Sequence, residues 1–207
     1  TYTVFSGGDD LFVIMPWNGV IDFMEDMYTE FRSFVCENPD IHFSAGIELA
    51  KETFPMQKVA ARAEEHIEKA KENGRNRVYY FHTMEYEKLR EIHDVTRWFI
   101  DKLQNKESNI NRSFIYRLLY YTREALAFKK QKENNIKKLL YIPQFYYDLS
   151  RNIVKKEKGQ IINNEEIQVL HGYFENYLNN FKEGRPEIQE TALVITLYET
   201  RERGGKE

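Results

Sequence analysis

The stretch that most constrains this chain is Ser6-Gly7-Gly8-Asp9-Asp10, set between the apolar runs Tyr2–Phe5 and Leu11–Met15. Two strand-like runs around a glycine pair predict a β-hairpin, because glycine reaches the positive φ that two-residue turns need. Two adjacent carboxylates give such a hairpin no structural advantage, since like charges repel and both resist leaving water. They suit a divalent cation, Mg²⁺ or Mn²⁺, which prefers carboxylate oxygens and keeps its remaining positions for phosphate and water. The same residues also read as an ordinary solvated turn, and the remainder of the chain must decide between the two.

Two separated stretches carry that decision. From the hairpin onward, Pro16 and Gly19 mark a break, and Val20, Phe23, Met24, Met27, Phe31, Phe34 and Val35 then recur at helical spacing. They predict an amphipathic helix over 20–36 whose apolar stripe is core, closed by the turn Asn38-Pro39-Asp40. Ile41–Ile47 reads as a strand with small residues for close packing. Thr53-Phe54-Pro55 introduces a helix over 55–73, with Met56, Val59, Ala60, Ala63, Ile67 and Ala70 as its buried stripe and Gly74 as its stop. Arg77–Phe81 reads as a further strand. The order hairpin, helix, strand, helix, strand predicts an α/β arrangement in which helices cover one face of a mixed sheet.

Gly7-Gly8-Asp9-Asp10, together with Ala70-Lys71-Glu72-Asn73-Gly74-Arg75-Asn76-Arg77-Val78 some 60 residues on, resembles the second half of a nucleotide-cyclase palm domain. The second stretch is similar to the AKxxGRNxV signature that closes the palm, and Ser44-Ala45-Gly46-Ile47 resembles the palm strand between them. Diguanylate cyclases usually carry Glu-Phe where this chain has Asp10-Leu11. The Gly-Gly-Asp-Asp form, Ser6 before the glycines and the Phe54-Pro55 helix entry are instead similar to the large subunit of type III CRISPR effector complexes, Csm-type (III-A).

That resemblance implies an enzyme that makes cyclic oligoadenylate from ATP when target RNA binds, in antiviral defence. Asp9 and Asp10 are then the catalytic, metal-holding residues, and Ser6, Gly7, Gly8, Lys71 and Arg75 the nucleotide-binding ones. Lys71 and Arg75 lie one helical turn apart, so they can face the same way; both also suit a helix C-terminus on electrostatic grounds alone. The implied partners are ATP, a guide RNA–target RNA ribonucleoprotein, and the small and other subunits of the effector complex. A diguanylate-cyclase-like enzyme using GTP, and a non-catalytic scaffold docking small subunits and RNA, are the competing readings. The chain starts within a strand, so the resemblance places a further strand and two helices before Thr1, and the isolated chain is expected to be inactive.

After Thr83 the pattern becomes wholly helical, which divides the chain into a partial palm, 1–83, and an all-α bundle, 84–207. Leu89–Leu103, a helix starting near Asn111-Arg112-Ser113, a third interrupted or bent at Pro143, a fourth capped by Asn163 with Glu166 three residues on, and a last one over Ile188–Tyr198 make up the bundle.

Charge is unevenly spread. Residues 1–83 carry 8 Lys and Arg against 14 Asp and Glu, whereas residues 110–158 carry 12 against 4. The basic segment, with Arg112, Arg117, Arg123, Lys129, Lys130, Lys132, Lys137 and Lys138, reads either as a phosphate-neutralising surface or as a solvated helical face. Of 207 residues 42% are hydrophobic, which excludes wholesale disorder. The single Cys36 excludes an internal disulfide, and His42, His66, His82, His93 and His171 show no zinc-ligand spacing. No apolar run approaches the ~20 residues that span a bilayer and no signal-peptide pattern opens the chain, so a cytoplasmic protein without membrane partners is expected.

Overall fold

A computed structural model describes residues 1–130, 139–157, 160–179 and 185–201. They form two compact units, Thr1–His93 and Asp94–Glu207, and the division falls inside a helix.

The first unit opens with an antiparallel hairpin of β1 (Tyr2–Gly7) and β2 (Asp10–Ile14), followed by α1 (Val20–Phe34), β3 (Ala45–Gly46), α2 (Met56–Glu72), β4 (Arg77–Tyr80) and β5 (His82–Glu85). The first two helices thus lie where apolar spacing predicts them. The single mixed sheet does not form: β1–β2 is a ladder of its own, and β3–β4–β5 is a separate three-stranded sheet, parallel at β3–β4 and antiparallel at β4–β5. The strand expected over Ile41–Ile47 shrinks to Ala45–Gly46. There α2 comes close enough to need a small residue: a Cβ on Gly46 would stand 2.5 Å from the Ala63 carbonyl oxygen. The helix meets the sheet around Ala63 and Ile67, which leaves Met56, expected in the core, 48% exposed in its first turn.

The strands β4 and β5 are joined through Phe81 alone, with Tyr80 paired to His82. Phe81 takes a φ of 60° to make that reversal, a conformation bulky side chains rarely adopt. The sheet therefore runs on to Glu85, past the point where the sequence turns helical in pattern.

Five helices build the second unit and the segment leading into it: α3 (Glu87–Gln104), α4 (Arg112–Lys130), α5 (Tyr141–Asp148), α6 (Asn164–Tyr173) and α7 (Pro186–Glu199), with α5 and α6 each running on into a π-helical turn. The segment that leads up to Pro143 lies partly outside the described residues. Pro143 sits in the first turn of α5, where its missing N–H has no partner to lose. Phe145 and Phe174 stack at 4.1 Å in a core shared with Phe114, Ile115, Leu118 and Leu170.

Asn163 does stand at the N-cap of α6, but its side chain makes no capping bond. Its amide instead donates to the Ile153 carbonyl and to Glu166, and its Oδ1 accepts from the Lys155 N–H. An antiparallel pair of two-residue strands, β6 (Lys156–Glu157) with β7 (Gln160–Ile161), lies between Ile153 and Asn163 in the chain. Lys132, Lys137 and Lys138 of the basic segment lie outside the described residues.

Candidate functional site

The predicted hairpin forms with Gly7 paired to Asp10 and the turn at Gly8-Asp9. Gly8 carries a φ of 64° and Asp9 does not share its positive φ, so the turn uses glycine at its first central position, as type II′ hairpins do. Upstream, the register shifts by one residue between Thr3 and Phe5. This bulge sets Phe5 opposite Phe12 and Gly7 opposite Asp10. Alternation along a strand then puts Phe5, Gly7, Asp10 and Phe12 on one face. A Cβ at Gly7 would come within 3.1 Å of the Phe5 ring tip, so the bare glycine is what lets that ring lie toward Asp10. Ser6, Gly7, Gly8, Asp9 and Asp10 are all exposed.

Lys71 and Arg75 come from the other end of the motif. Helix α2 closes in a Schellman motif: the Gly74 N–H donates to the Lys71 carbonyl at 3.2 Å and the Arg75 N–H to the Ala70 carbonyl at 3.3 Å. Gly74 is the expected stop, at φ 116°, but the left-handed run does not end with it. Arg75 and Asn76 follow at 58° and 47°. Arg75 is exposed; Lys71 is exposed too, and its ammonium is bonded to Glu68 on the preceding turn at 2.7 Å. The structure thus gathers Ser6–Asp10 on one turn and Lys71 and Arg75 at one helix end. No hydrogen bond or ion pair joins the two groups among the described residues.

Asn76 is a residue the sequence spacing alone does not single out. Its Oδ1 is buried without a partner. Nearby, the Tyr28 hydroxyl of α1 donates to Glu87 at 3.3 Å, and its ring stacks on Tyr86 at 4.3 Å. Burial, with the Glu87 carboxylate second, holds the Tyr28 phenol above its ordinary range. Phe43 tilts against both rings, and the Tyr86 hydroxyl donates to its carbonyl at 3.3 Å. Arg77, expected as a surface strand residue, pairs across the ladder with Glu85 at 3.4 Å. His66 is a packing residue: Nδ1 lies 2.9 Å from the Ile47 carbonyl and the ring stacks on Tyr79.

Among the described residues no three His, Cys, Asp or Glu side chains are gathered for a metal. The hairpin nonetheless fits a hard divalent cation in the chemistry of its donors: two neighbouring, solvent-facing carboxylates on a tight turn leave most of a coordination sphere for water and phosphate.

The basic segment behaves differently from the hairpin. Arg112 donates to Thr200 and the Leu197 carbonyl, Arg117 pairs with Asp148 at 2.8 Å, Arg123 with Glu190 at 2.8 Å and Lys129 with Glu187 at 3.1 Å. These cations staple α4 to α5 and α7. No helix of the described residues is long and apolar enough to cross a membrane.

Comparison with known proteins agrees with the two motif stretches. Residues 1–79 match the family described as Cas10/Cmr2, second palm domain. The chain is similar to three proteins named CRISPR system single-strand-specific deoxyribonuclease Cas10/Csm1 (subtype III-A). With that of Methanocaldococcus jannaschii it shares 37% identity over 79 residues, 38% of this chain and 9% of that protein. With those of Streptococcus thermophilus and Mycobacterium tuberculosis it shares 26% and 27%, each over 96% of this chain, and 25% and 23% of the respective proteins. It spans about a quarter of the length of these last two relatives. The palm match contains both motif stretches, and two of the relatives continue through the helical part, so the similarity to Cas10/Csm1 proteins runs over both parts of this chain.

Proposed function

We propose that the Gly7–Asp10 hairpin is the reaction centre of a nucleotidyltransferase that joins ATP into cyclic oligoadenylate when the intact subunit, in its RNA-guided complex, binds target RNA. The observation that carries this reading is the pair of exposed carboxylates on a glycine turn, in a chain that also presents Lys71 and Arg75 at the end of α2. The 3′-hydroxyl oxygen of one nucleotide bonds to the α-phosphorus of the next, the bond to the bridging oxygen breaks, pyrophosphate leaves, and the hydroxyl proton passes to solvent. Mg²⁺ or Mn²⁺ held by Asp9 and Asp10 would supply charge neutralisation at the phosphate and acidify that hydroxyl.

The chain's own part is positioning. Ser6, Gly7 and Gly8 present an unobstructed backbone to the phosphates: a Cβ built on Gly8 meets nothing within 4 Å. Lys71 and Arg75 hold the triphosphate, which requires Lys71 to exchange Glu68 for phosphate oxygens. The helical part, 84–207, is proposed to dock the small subunits and RNA, and the palm part, 1–83, to bind the nucleotide. This chain, which spans about a quarter of the length of two of its relatives, is proposed to turn over nothing by itself. The deoxyribonuclease named for the relatives belongs to chains about four times longer, and it is not assigned to this hairpin.

The test presents ATP and GTP separately to the full-length subunit in its complex with target RNA and Mn²⁺, and identifies the products. Cyclic oligoadenylate from ATP supports the reading. A cyclic dinucleotide from GTP favours the diguanylate-cyclase alternative, and no product from either favours the scaffold.

A further inference from the structure

Phe5 is 54% exposed on the strand that leads into the Gly8-Asp9 turn. A side chain of that size left in water gives up the burial that would otherwise stabilise the fold. Its ring is nevertheless held in one place. The tip lies over Gly7, where a Cβ would stand 3.1 Å from Cζ and 3.5 Å from Cε2. The ring therefore occupies the face of β1 on which a Gly7 side chain would project. Gly7 pairs with Asp10, so Asp10 shares that face. Residues directly opposite in an antiparallel pair set their Cβ positions about 4.5–5.5 Å apart. The ring tip is thus a neighbour of the Asp10 carboxylate, and Gly7 has no side chain to stand between them.

Two simpler accounts leave part of this arrangement unexplained. Phe12 stands opposite Phe5 in the register, and aromatic pairs across a hairpin stabilise it. That pairing asks for an aromatic at position 5, but not for a bare position two residues on. Turn geometry does not ask for it either: Gly8 takes the positive φ, and Gly7 does not. What the missing side chain of Gly7 leaves open is the space that the Phe5 ring fills.

We propose that Phe5 is a substrate-binding residue: its ring is the platform on which the base of the nucleotide held at Asp9 and Asp10 stacks. The proposal rests on the nucleotide role assigned above to this hairpin. A phosphate bound through a metal at Asp10 carries its base one sugar away, which brings the base to the exposed side of the ring. Aromatic stacking accepts any base, because every base has a π-face. Phe5 therefore fixes where the base lies without telling adenine from guanine, and that choice falls to hydrogen-bonding groups.

The test measures binding to the full-length subunit in its complex, with Mn²⁺, of ATP, GTP and inorganic tripolyphosphate, which has the phosphates and no base. The proteins are the wild type, Phe5→Leu, Phe5→Trp and Asp9→Ala/Asp10→Ala. Leucine keeps an apolar side chain opposite Phe12, and tryptophan keeps an aromatic face and adds a fluorescent reporter. Phe5→Leu is expected to weaken ATP and GTP alike, about tenfold, and to leave tripolyphosphate within about twofold of the wild type. In Phe5→Trp the added indole emission should fall with ATP and hold steady with tripolyphosphate, a readout that does not depend on how well the leucine variant folds. Unchanged ATP binding in Phe5→Leu overturns the platform, and so does an equal loss of ATP and tripolyphosphate, the mark of a ring that only shapes the hairpin. Indole emission indifferent to ATP overturns it as well. If Asp9→Ala/Asp10→Ala binds tripolyphosphate as the wild type does, the nucleotide role of the hairpin fails and the platform with it. Loss of tripolyphosphate there, beside unchanged ATP binding in Phe5→Leu, removes the platform alone.

Discussion

Gly46 and Ala63 meet backbone to backbone: a Cβ on Gly46 would lie 2.5 Å from the Ala63 carbonyl oxygen and 2.6 Å from the Ile67 nitrogen. Both atoms belong to helix backbone, so nothing flexible can give way. Gly46→Ala is expected to push α2 off β3 and β4 and to cost about 1–3 kcal/mol, or more if the sheet parts. A fall in melting temperature of the first unit checks this; an unchanged one would mean the helix sits farther from the strand than described.

The same contact explains what was legible in the sequence. Periodic apolar positions gave away α1, α2, α3, α4 and α7, because each helix repeats one demand over several turns. Ser44–Ile47 signalled close packing for the same reason, small residues where backbone approaches. Isolated events carried no repeating signal. The one-residue reversal at Phe81, the short hairpin Lys156–Ile161 and the diverted side chain of Asn163 each depend on a single local geometry. The separation of the hairpin from the three-stranded sheet is a matter of strand pairing, which alternation within a strand does not specify. At the candidate site, spacing alone puts Lys71 beside Arg75, whereas the left-handed backbone at Arg75 and Asn76 repeats nothing that a pattern could reveal.

The staples of α4 make a second prediction. Asp148 is 13% exposed and takes both the Arg117 guanidinium and the Tyr121 hydroxyl, the latter at 2.5 Å. Asp148→Ala leaves both donors without their acceptor and should destabilise the second unit by about 1–3 kcal/mol. Chemical denaturation measures it; a loss below about 0.5 kcal/mol would make the pair a surface ornament.

If Arg123 and Lys129 serve α7 through Glu190 and Glu187, they are not available to phosphate. Replacing both with alanine should leave the salt dependence of RNA binding by the intact complex unchanged, at a small cost in stability. A slope of log K against log salt that falls by about one for each cation removed would show that they contact RNA instead.

High pH gives a fourth test. Burial pushes the Tyr141 and Tyr173 phenols up from 10.0 to about 12, with the Asp94 carboxylate a further cause at Tyr173. A raised folded pKa means that the unfolded chain loses these protons first. The contribution of these two tyrosines is therefore full below about pH 10 and is lost between about pH 10 and 12 as they ionise first in the unfolded chain. Melting temperature across that window checks the sign. Tyr173→Phe should shallow the decline; a decline unchanged in that variant would contradict it.

Glu68 holds the Lys71 ammonium at 2.7 Å, in competition with any phosphate. Glu68→Gln should tighten ATP binding by the intact subunit about twofold to fivefold, the worth of an exposed ion pair. Weaker binding in that variant would mean that Glu68 orients Lys71 rather than detains it.

The central claim is that Asp9 and Asp10 form the reaction centre. The direct measurement supplies labelled ATP, Mn²⁺ and target RNA to the reconstituted effector complex, with the wild-type subunit or with Asp9→Ala/Asp10→Ala, and resolves the products. Cyclic oligoadenylate from the wild type, reduced at least about a hundredfold in the double variant while the complex still assembles and binds RNA, is the expected result. Equal product from both proteins would contradict the claim.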